Sequence, residues 1–216
     1  MKKSKKIFEV IVIYLILLLM TAMPLILRTI IQNMFVVRIL TYFLMFGLVF
    51  IFCKKNKVTT KELGYDKKNI GKQIFKSCIP LFISVSIFVI LPLLFCVNKE
   101  IVLYSKTTNV IEIIEQICFL IIFVGPVEEF IFRGYFENEI SKITNKGILI
   151  SLISSILFGF WHFPSTMSLI NVICTFFIGL IYSISKRKLK NCSTLSISIA
   201  HGLHDTIIFI LSCILL

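Results

Sequence analysis

The sequence predicts an all-α fold, a polytopic transmembrane helical bundle of about seven spans, each needing roughly 20 mostly apolar residues. Three observations predict it. Of the 216 residues 57% are hydrophobic, against ~45–50% by a similar count in soluble domains. The apolar residues fall in long blocks rather than alternating stripes, and the mean hydropathy is +0.96. Finally, the basic residues gather in every second connection between the blocks, as the loops on one side of a membrane do.

The first element, Ile7–Leu27, follows Met-Lys-Lys-Ser-Lys-Lys, as a secretory leader would. Its apolar run is longer than a leader's, and no small-x-small cleavage site follows, so a retained span is expected. Met34–Cys53 and Ser77–Val97 are the second and third spans, separated by a lysine-rich connection. Ile111–Phe136 and Gly147–Phe163 are the least regular, because polar residues interrupt both. Met167–Ser185 and Leu195–Leu216 complete the set. The chain divides into residues 1–109, with three spans, and 110–216, with four. Short connections leave no room for a soluble domain, and no internal repeat or low-complexity linker is present.

A formal charge of +12 raises nucleic acid as a partner, but its distribution argues against it. Lys2, Lys3, Lys5 and Lys6 precede the first span, and eight lysines lie between Lys54 and Lys76. Lys142 and Lys146 follow span four; Lys186, Arg187, Lys188 and Lys190 follow span six. The opposite loops hold only Arg28, Lys99 and Lys106. This asymmetry orients the N-terminus to the cytoplasm of a cell membrane and suits contact with anionic lipid. The seven cysteines (Cys53, Cys78, Cys96, Cys118, Cys174, Cys192 and Cys213) are scattered, odd in number and without a CxxC pair. Neither a disulfide framework nor a cysteine metal site is expected.

An ionisable side chain inside a bilayer costs ~2.5–3.5 kcal/mol or more, so each one points to function. Glu9, Glu62, Asp66 and Glu100 fall at span ends or in loops, Glu112 and Glu115 near the start of span four, and Glu137 and Glu139 beyond its other end. Glu128, Glu129 and Asp205 remain within spans, together with every histidine of the chain: His162, His201 and His204. Glu129 and Arg133 stand at i,i+4 on one helix face and can pair. Glu128 points ~100° away and is left to face the interior, where a partly desolvated carboxylate suits a general base. Phe158 and His162 share a face, and Pro164 discourages the helix from continuing. His201 and Asp205 also share a face, while Gly202 and Ala200 permit a neighbouring helix to come close. Each cluster alone has a structural reading: Arg133 snorkelling from the bilayer, His162 as an interfacial residue, His201–Asp205 as an interhelical hydrogen bond. Jointly they are harder to explain, because three spans each carry an embedded acid or histidine.

The three clusters resemble the CPBP family, also called Abi or type II CAAX prenyl endopeptidase-like intramembrane proteases. Glu128-Glu129-Phe130-Ile131-Phe132-Arg133 is similar to the family's Glu-Glu-x-x-x-Arg, and Phe158-Gly159-Phe160-Trp161-His162 to its Phe-x-x-x-His. His201-Gly202-Leu203-His204-Asp205 is similar to His-x-x-x-Asn or His-x-x-x-Asp. Lys61-Glu62-Leu63-Gly64 also looks like a family feature. The resemblance covers about residues 110–216, and the HExxH zinc-protease motif is absent. It implies hydrolysis of a peptide bond in a cavity within the membrane. Glu128 and His162 would activate a water; His201 and Asp205 would stabilise the oxyanion or place that water. Glu129, Arg133 and Phe158 would support the site.

Asp205 stands where the prenyl-protease members carry Asn. A carboxylate cannot donate to an oxyanion unless protonated, so either Asp205 carries a proton or it orients His201 as the donor. No cofactor is expected, because Glu128 and His162 already supply a base and a proton carrier. If Zn²⁺ were bound, Glu128, His162, His201 and Asp205 would be its ligands. The expected partners are membrane lipid and a membrane-associated protein or peptide substrate. The alternatives are a non-catalytic bacteriocin-immunity or binding protein of the same family, and a proton-coupled carrier, which the missing inverted repeat disfavours. One mismatch remains at this level. Counting residues puts Glu128 and His201 towards the cytoplasmic side but His162 nearer the outer face. Convergence requires span five to begin beyond the bilayer, or Glu128 to sit deeper.

Overall fold

The computed structural model describes residues 2–65, 68–95, 99–103 and 106–216. Among these residues there is no strand, and seven helices are long and apolar enough to cross a membrane. They are α1 (Lys3–Leu27), α2 (Met34–Lys55), α3 (Ile70–Leu94), α4 (Val110–Ser141), α5 (Gly147–Thr166), α6 (Leu169–Lys188) and α7 (Thr194–Leu215). The expected Cys96 and the Val97 end of span three lie outside the described residues, as do Asp66 and the side chain of Glu100. The remaining six cysteines are free.

Local chemistry sets the helix starts. Asn33 opens α2 by accepting from the amides of Phe35 and Val36, Asn109 opens α4 through Ile111, and Ser168 opens α6 through Asn171. Ser193 and Ser196 form a reciprocal capping box at α7. Each satisfies amides that the first helical turn leaves without partners. Lys54 and Lys55 end α2, and Lys186, Arg187 and Lys188 end α6, where cations complement the helix dipole.

Two boundaries depart most from expectation: α3 begins at Ile70 instead of Ser77, and α4 runs on to Ser141 instead of stopping at Phe136. Glu137 and Glu139, expected beyond the helix, are inside it and buried. They survive there because each is paired. Glu137 binds Arg187 at 2.9 Å and Lys186 at 3.4 Å and accepts from Ser183. Glu139 binds Lys142 at 2.6 Å and also Lys6. These contacts tie the end of α4 to α6 and α1. Two wide, π-type turns interrupt α4 at Leu120–Val124 and Phe130–Phe136, on either side of Gly125-Pro126-Val127-Glu128-Glu129. Pro126 lacks an amide proton and crowds the preceding turn, which the wider turn relieves. In the second wide turn, Ser154 donates to the carbonyl of Phe132 at 3.1 Å and Lys186 donates to that of Arg133.

In the bundle α5 packs along α6, and α7 lies against α3 and α4. The most enclosed span is α7: 56% of its most apolar stretch is buried, against 22% for α1 and α2. Phe132, Phe136, Phe158 and Trp161 fill the space between α4 and α5. Most of the large apolar side chains left exposed, such as Phe8, Phe43, Phe82 and Ile173, lie on the spans. In water they would be a liability; a bilayer is the solvent that suits them.

Candidate active site

The site begins with two glycines. A Cβ on Gly125 would lie 2.5 Å from the Ser198 carbonyl oxygen and 2.7 Å from the Gly202 nitrogen. A Cβ on Gly202 would meet the Leu120 carbonyl at 3.0 Å. The backbones of α4 and α7 therefore touch, as the small residues at Gly202 led one to expect. That contact sets Glu128 and Glu129 of α4 against His201 and Asp205 of α7.

The two adjacent carboxylates then diverge. Glu129 is fully buried and is held through one oxygen: Oε1 lies 2.8 Å from His201 Nδ1 and 3.2 Å from Arg133 Nη1. Arg133 is itself fully buried, with its guanidinium 4.2 Å above the Phe158 ring. The snorkelling alternative is thus not what the structure adopts. Room for the guanidinium comes from Gly179 of α6, where a Cβ would sit 2.6 Å from Arg133 Nη2. Glu128 faces the other way. Its Oε1 accepts from the Tyr42 hydroxyl at 2.6 Å, and its Oε2 is buried without a hydrogen-bond partner.

Both histidines turn the same nitrogen towards that free oxygen. His162 Nε2 is 3.8 Å and His201 Nε2 is 4.0 Å from Glu128 Oε2. His162 Nδ1 lies 2.9 Å from the Phe158 carbonyl. A carbonyl only accepts, so Nδ1 carries a proton, and a neutral imidazole here keeps its lone pair on Nε2. His201 Nδ1 donates to Glu129, and its Nε2 lies 3.4 Å from Asp205 Oδ2. Phe158 separates the imidazoles, edge-on to His162 at 4.8 Å and to His201 at 5.7 Å. The His162 and Asp205 side chains keep 22% and 19% of their surface, against 4% or less for Glu128, Glu129 and His201. They mark where the cluster opens.

All seven residues named from the sequence are therefore brought together: His162 and His201 against Glu128, Asp205 against His201, with Glu129, Arg133 and Phe158 behind them. The mismatch in depth resolves in the two ways that were open. Past Glu128, α4 continues for about 13 residues, or ~20 Å. His162 lies about 15 residues from the start of α5, so the antiparallel α4–α5 hairpin matches their levels. In addition, α7 begins inside the protein. Thr194 and Ser196 are fully buried, donating to the carbonyls of Leu63 at 2.6 Å and Gln73 at 2.8 Å. The Lys61-Glu62-Leu63-Gly64 segment covers Thr194, and Gln73 of α3 lies against Ser196. Gly64 takes a left-handed φ of +81°, and a Cβ there would collide with Thr194.

Sequence reasoning missed Tyr42, which lies 86 positions from Glu128. A lone hydroxyl in an apolar span carries no pattern, and tyrosines are common in membrane helices near the interface. It also missed the environment of His204, whose Nδ1 is 3.1 Å from Ser84 Oγ on α3, away from Glu128. Tyr65 approaches from the covering segment, with its hydroxyl 3.4 Å from Ser198 Oγ. Burial pushes its phenol up, so it stays neutral.

Among the described residues, no group of three or more His, Cys, Asp or Glu side chains is arranged to hold a metal ion. As placed, the four residues named as ligands in case Zn²⁺ were bound do not form such a group, and no step is derived through a metal. Two cavities, of about 660 and 160 Å³, flank α4 beside the cluster. They are lined mainly by apolar side chains such as Phe43, Phe46, Phe130 and Leu203, and by none of the four central polar residues.

No curated protein and no solved structure matches the chain. Residues 110–207 match the family described as type II CAAX prenyl endopeptidase Rce1-like. This segment contains all three clusters, from Glu128 to Asp205. The match supports the CPBP family and a CAAX-type intramembrane protease fold for this segment.

Proposed function

We propose that this protein is an intramembrane endopeptidase that hydrolyses a peptide bond in a membrane-associated protein or peptide. The observation that carries this reading is the convergence of two imidazole Nε2 atoms on the buried, unpartnered Oε2 of Glu128. At 3.8 Å, Glu128 Oε2 and His162 Nε2 are too far apart to bond directly and close enough to share one water. Glu128 takes a proton from that water as its oxygen attacks the scissile carbonyl carbon. His201, as an imidazolium held by Glu129 at Nδ1 and oriented by Asp205, donates from Nε2 to the oxyanion, which is the second of the two roles open to Asp205. The proton passes to the amide nitrogen by way of Glu128 or His162, the C–N bond breaks, and an acid and an amine leave.

The same reading places the protein in the cell membrane with its N-terminus in the cytoplasm, and takes the reaction to be metal-independent. The test compares released peptides and new membrane-protein N-termini in isogenic strains. The strains carry the wild type, Glu128→Gln or His162→Ala at matched protein levels. A product made only by the wild type, and still made by the purified protein after chelation, is the expected result. Identical profiles in all three strains would return the chain to the binding or immunity reading. A product lost on chelation and restored by Zn²⁺ would overturn the metal-independent route.

A further inference from the structure

The carboxylate assigned above as the base has a partner from outside residues 110–207. We propose that Tyr42 of α2 is a positioning residue for Glu128, an inference that rests on the proteolytic reading of the site. A carboxylate on a flexible side chain presents two equivalent oxygens. The Tyr42 hydroxyl removes that equivalence by donating to Oε1 at 2.6 Å. Oε2 is then the oxygen held between His162 and His201. Efficient proton transfer needs such fixed geometry, and a misplacement of ~1 Å can cost about 10²-fold in rate.

Tyr42 is itself held in place. Its ring meets Phe119 edge-on at 5.1 Å. One turn earlier on the same face of α2, Arg38 lies over the same Phe119 ring at 4.8 Å and donates to Gln116 at 2.6 Å. The face of α2 that carries Arg38 and Tyr42 is thus clamped to α4 ahead of Glu128. On this account the N-terminal spans complete the site as well as flanking it.

Tyr42→Phe removes the hydroxyl and keeps the ring on Phe119. With the product identified as above, its formation by purified protein in lipid nanodiscs is expected to lose ~10–100-fold in kcat, with KM within twofold and an unchanged melting temperature. Ile51→Leu, on the exposed face of α2 and away from both cavities, serves as the control and keeps the wild-type kcat. An activity-independent measurement accompanies it. Infrared difference spectra assign the Glu128 carboxylate band by its absence in Glu128→Gln, and that band should move in Tyr42→Phe. A kcat within twofold of wild type, or an unmoved band, overturns the proposal. A band that moves while even the wild type forms no product would instead sink the proteolytic reading and leave the Tyr42–Glu128 contact standing.

Discussion

Glu129 and Arg133 show how a bilayer-embedded chain tolerates charge. Both are fully buried, and the carboxylate is shared with His201. Among the described residues, the guanidinium meets that carboxylate and the faces of Phe158 and Tyr182. Removing one partner strands the other in a medium that cannot solvate it. Glu129→Gln should therefore destabilise the protein by ~3–5 kcal/mol, measured as equilibrium unfolding in detergent micelles. Glu129→Gln with Arg133→Met should recover more than half of that loss, because no uncompensated charge remains. If the double variant were as unstable as the single, the pair would matter for shape and not for charge. The i,i+4 spacing made this pair legible in the sequence. The orientation of His201 by the same Glu129 oxygen was not, because the two are 72 positions apart.

At the scale of elements, the decisive contact is between α4 and α7. Gly125 would drive a Cβ into backbone atoms at 2.5, 2.7 and 2.9 Å, none of which can rotate away. Gly202 meets its nearest neighbours at 3.0 and 3.1 Å, where a shift of a few tenths of an ångström suffices. Gly125→Ala should thus cost more than Gly202→Ala, within the ~1–3 kcal/mol typical of overpacking, read as a larger fall in melting temperature. Because the shift parts Glu129 from His201, Gly125→Ala should also lose the cleavage product. The reverse order would mean that α4 and α7 relax apart without consequence. Hydrophobic block length predicted all seven helices but ended α4 at Phe136. A block boundary marks where apolar residues stop. Helix α4 continues because Glu137 and Glu139 find Arg187, Lys186, Lys142 and Lys6 on other elements.

For the whole molecule, the lysine asymmetry and an odd number of spans make one joint prediction: the termini lie on opposite sides of the membrane. An alkaline phosphatase fused after Leu216 should be active and a fluorescent protein fused there dark, with the opposite result in the connection between Lys142 and Lys146. An inactive phosphatase together with a bright fluorescent protein at the C-terminus would revise the span count or the orientation. This topology has a consequence for the site. The α4–α5 hairpin reaches well beyond Glu128 and His162, while α7 starts about two turns before His201, beneath the Leu63–Gly64 segment. The polar cluster thus lies inside the bundle, with its opening marked by His162 and Asp205.

By itself the sequence determined the solvent, the class of fold and the residues too costly to be incidental. Long apolar blocks exclude water as the surroundings, and ionisable groups inside them stand out against an otherwise uniform background. Periodicity further determined which of those residues share a face of one helix: Glu129 with Arg133, Phe158 with His162, His201 with Asp205. The tertiary structure decided what depends on one helix meeting another. It brought Tyr42 to Glu128, set the levels of His162 and His201 against Glu128, and chose between the two oxygens of each carboxylate. The physical reason is one of range. Spacing along a helix is dictated by local geometry within about four residues, whereas contacts across 72 or 86 positions depend on backbone approaches such as Gly125 to Gly202, which no local pattern encodes.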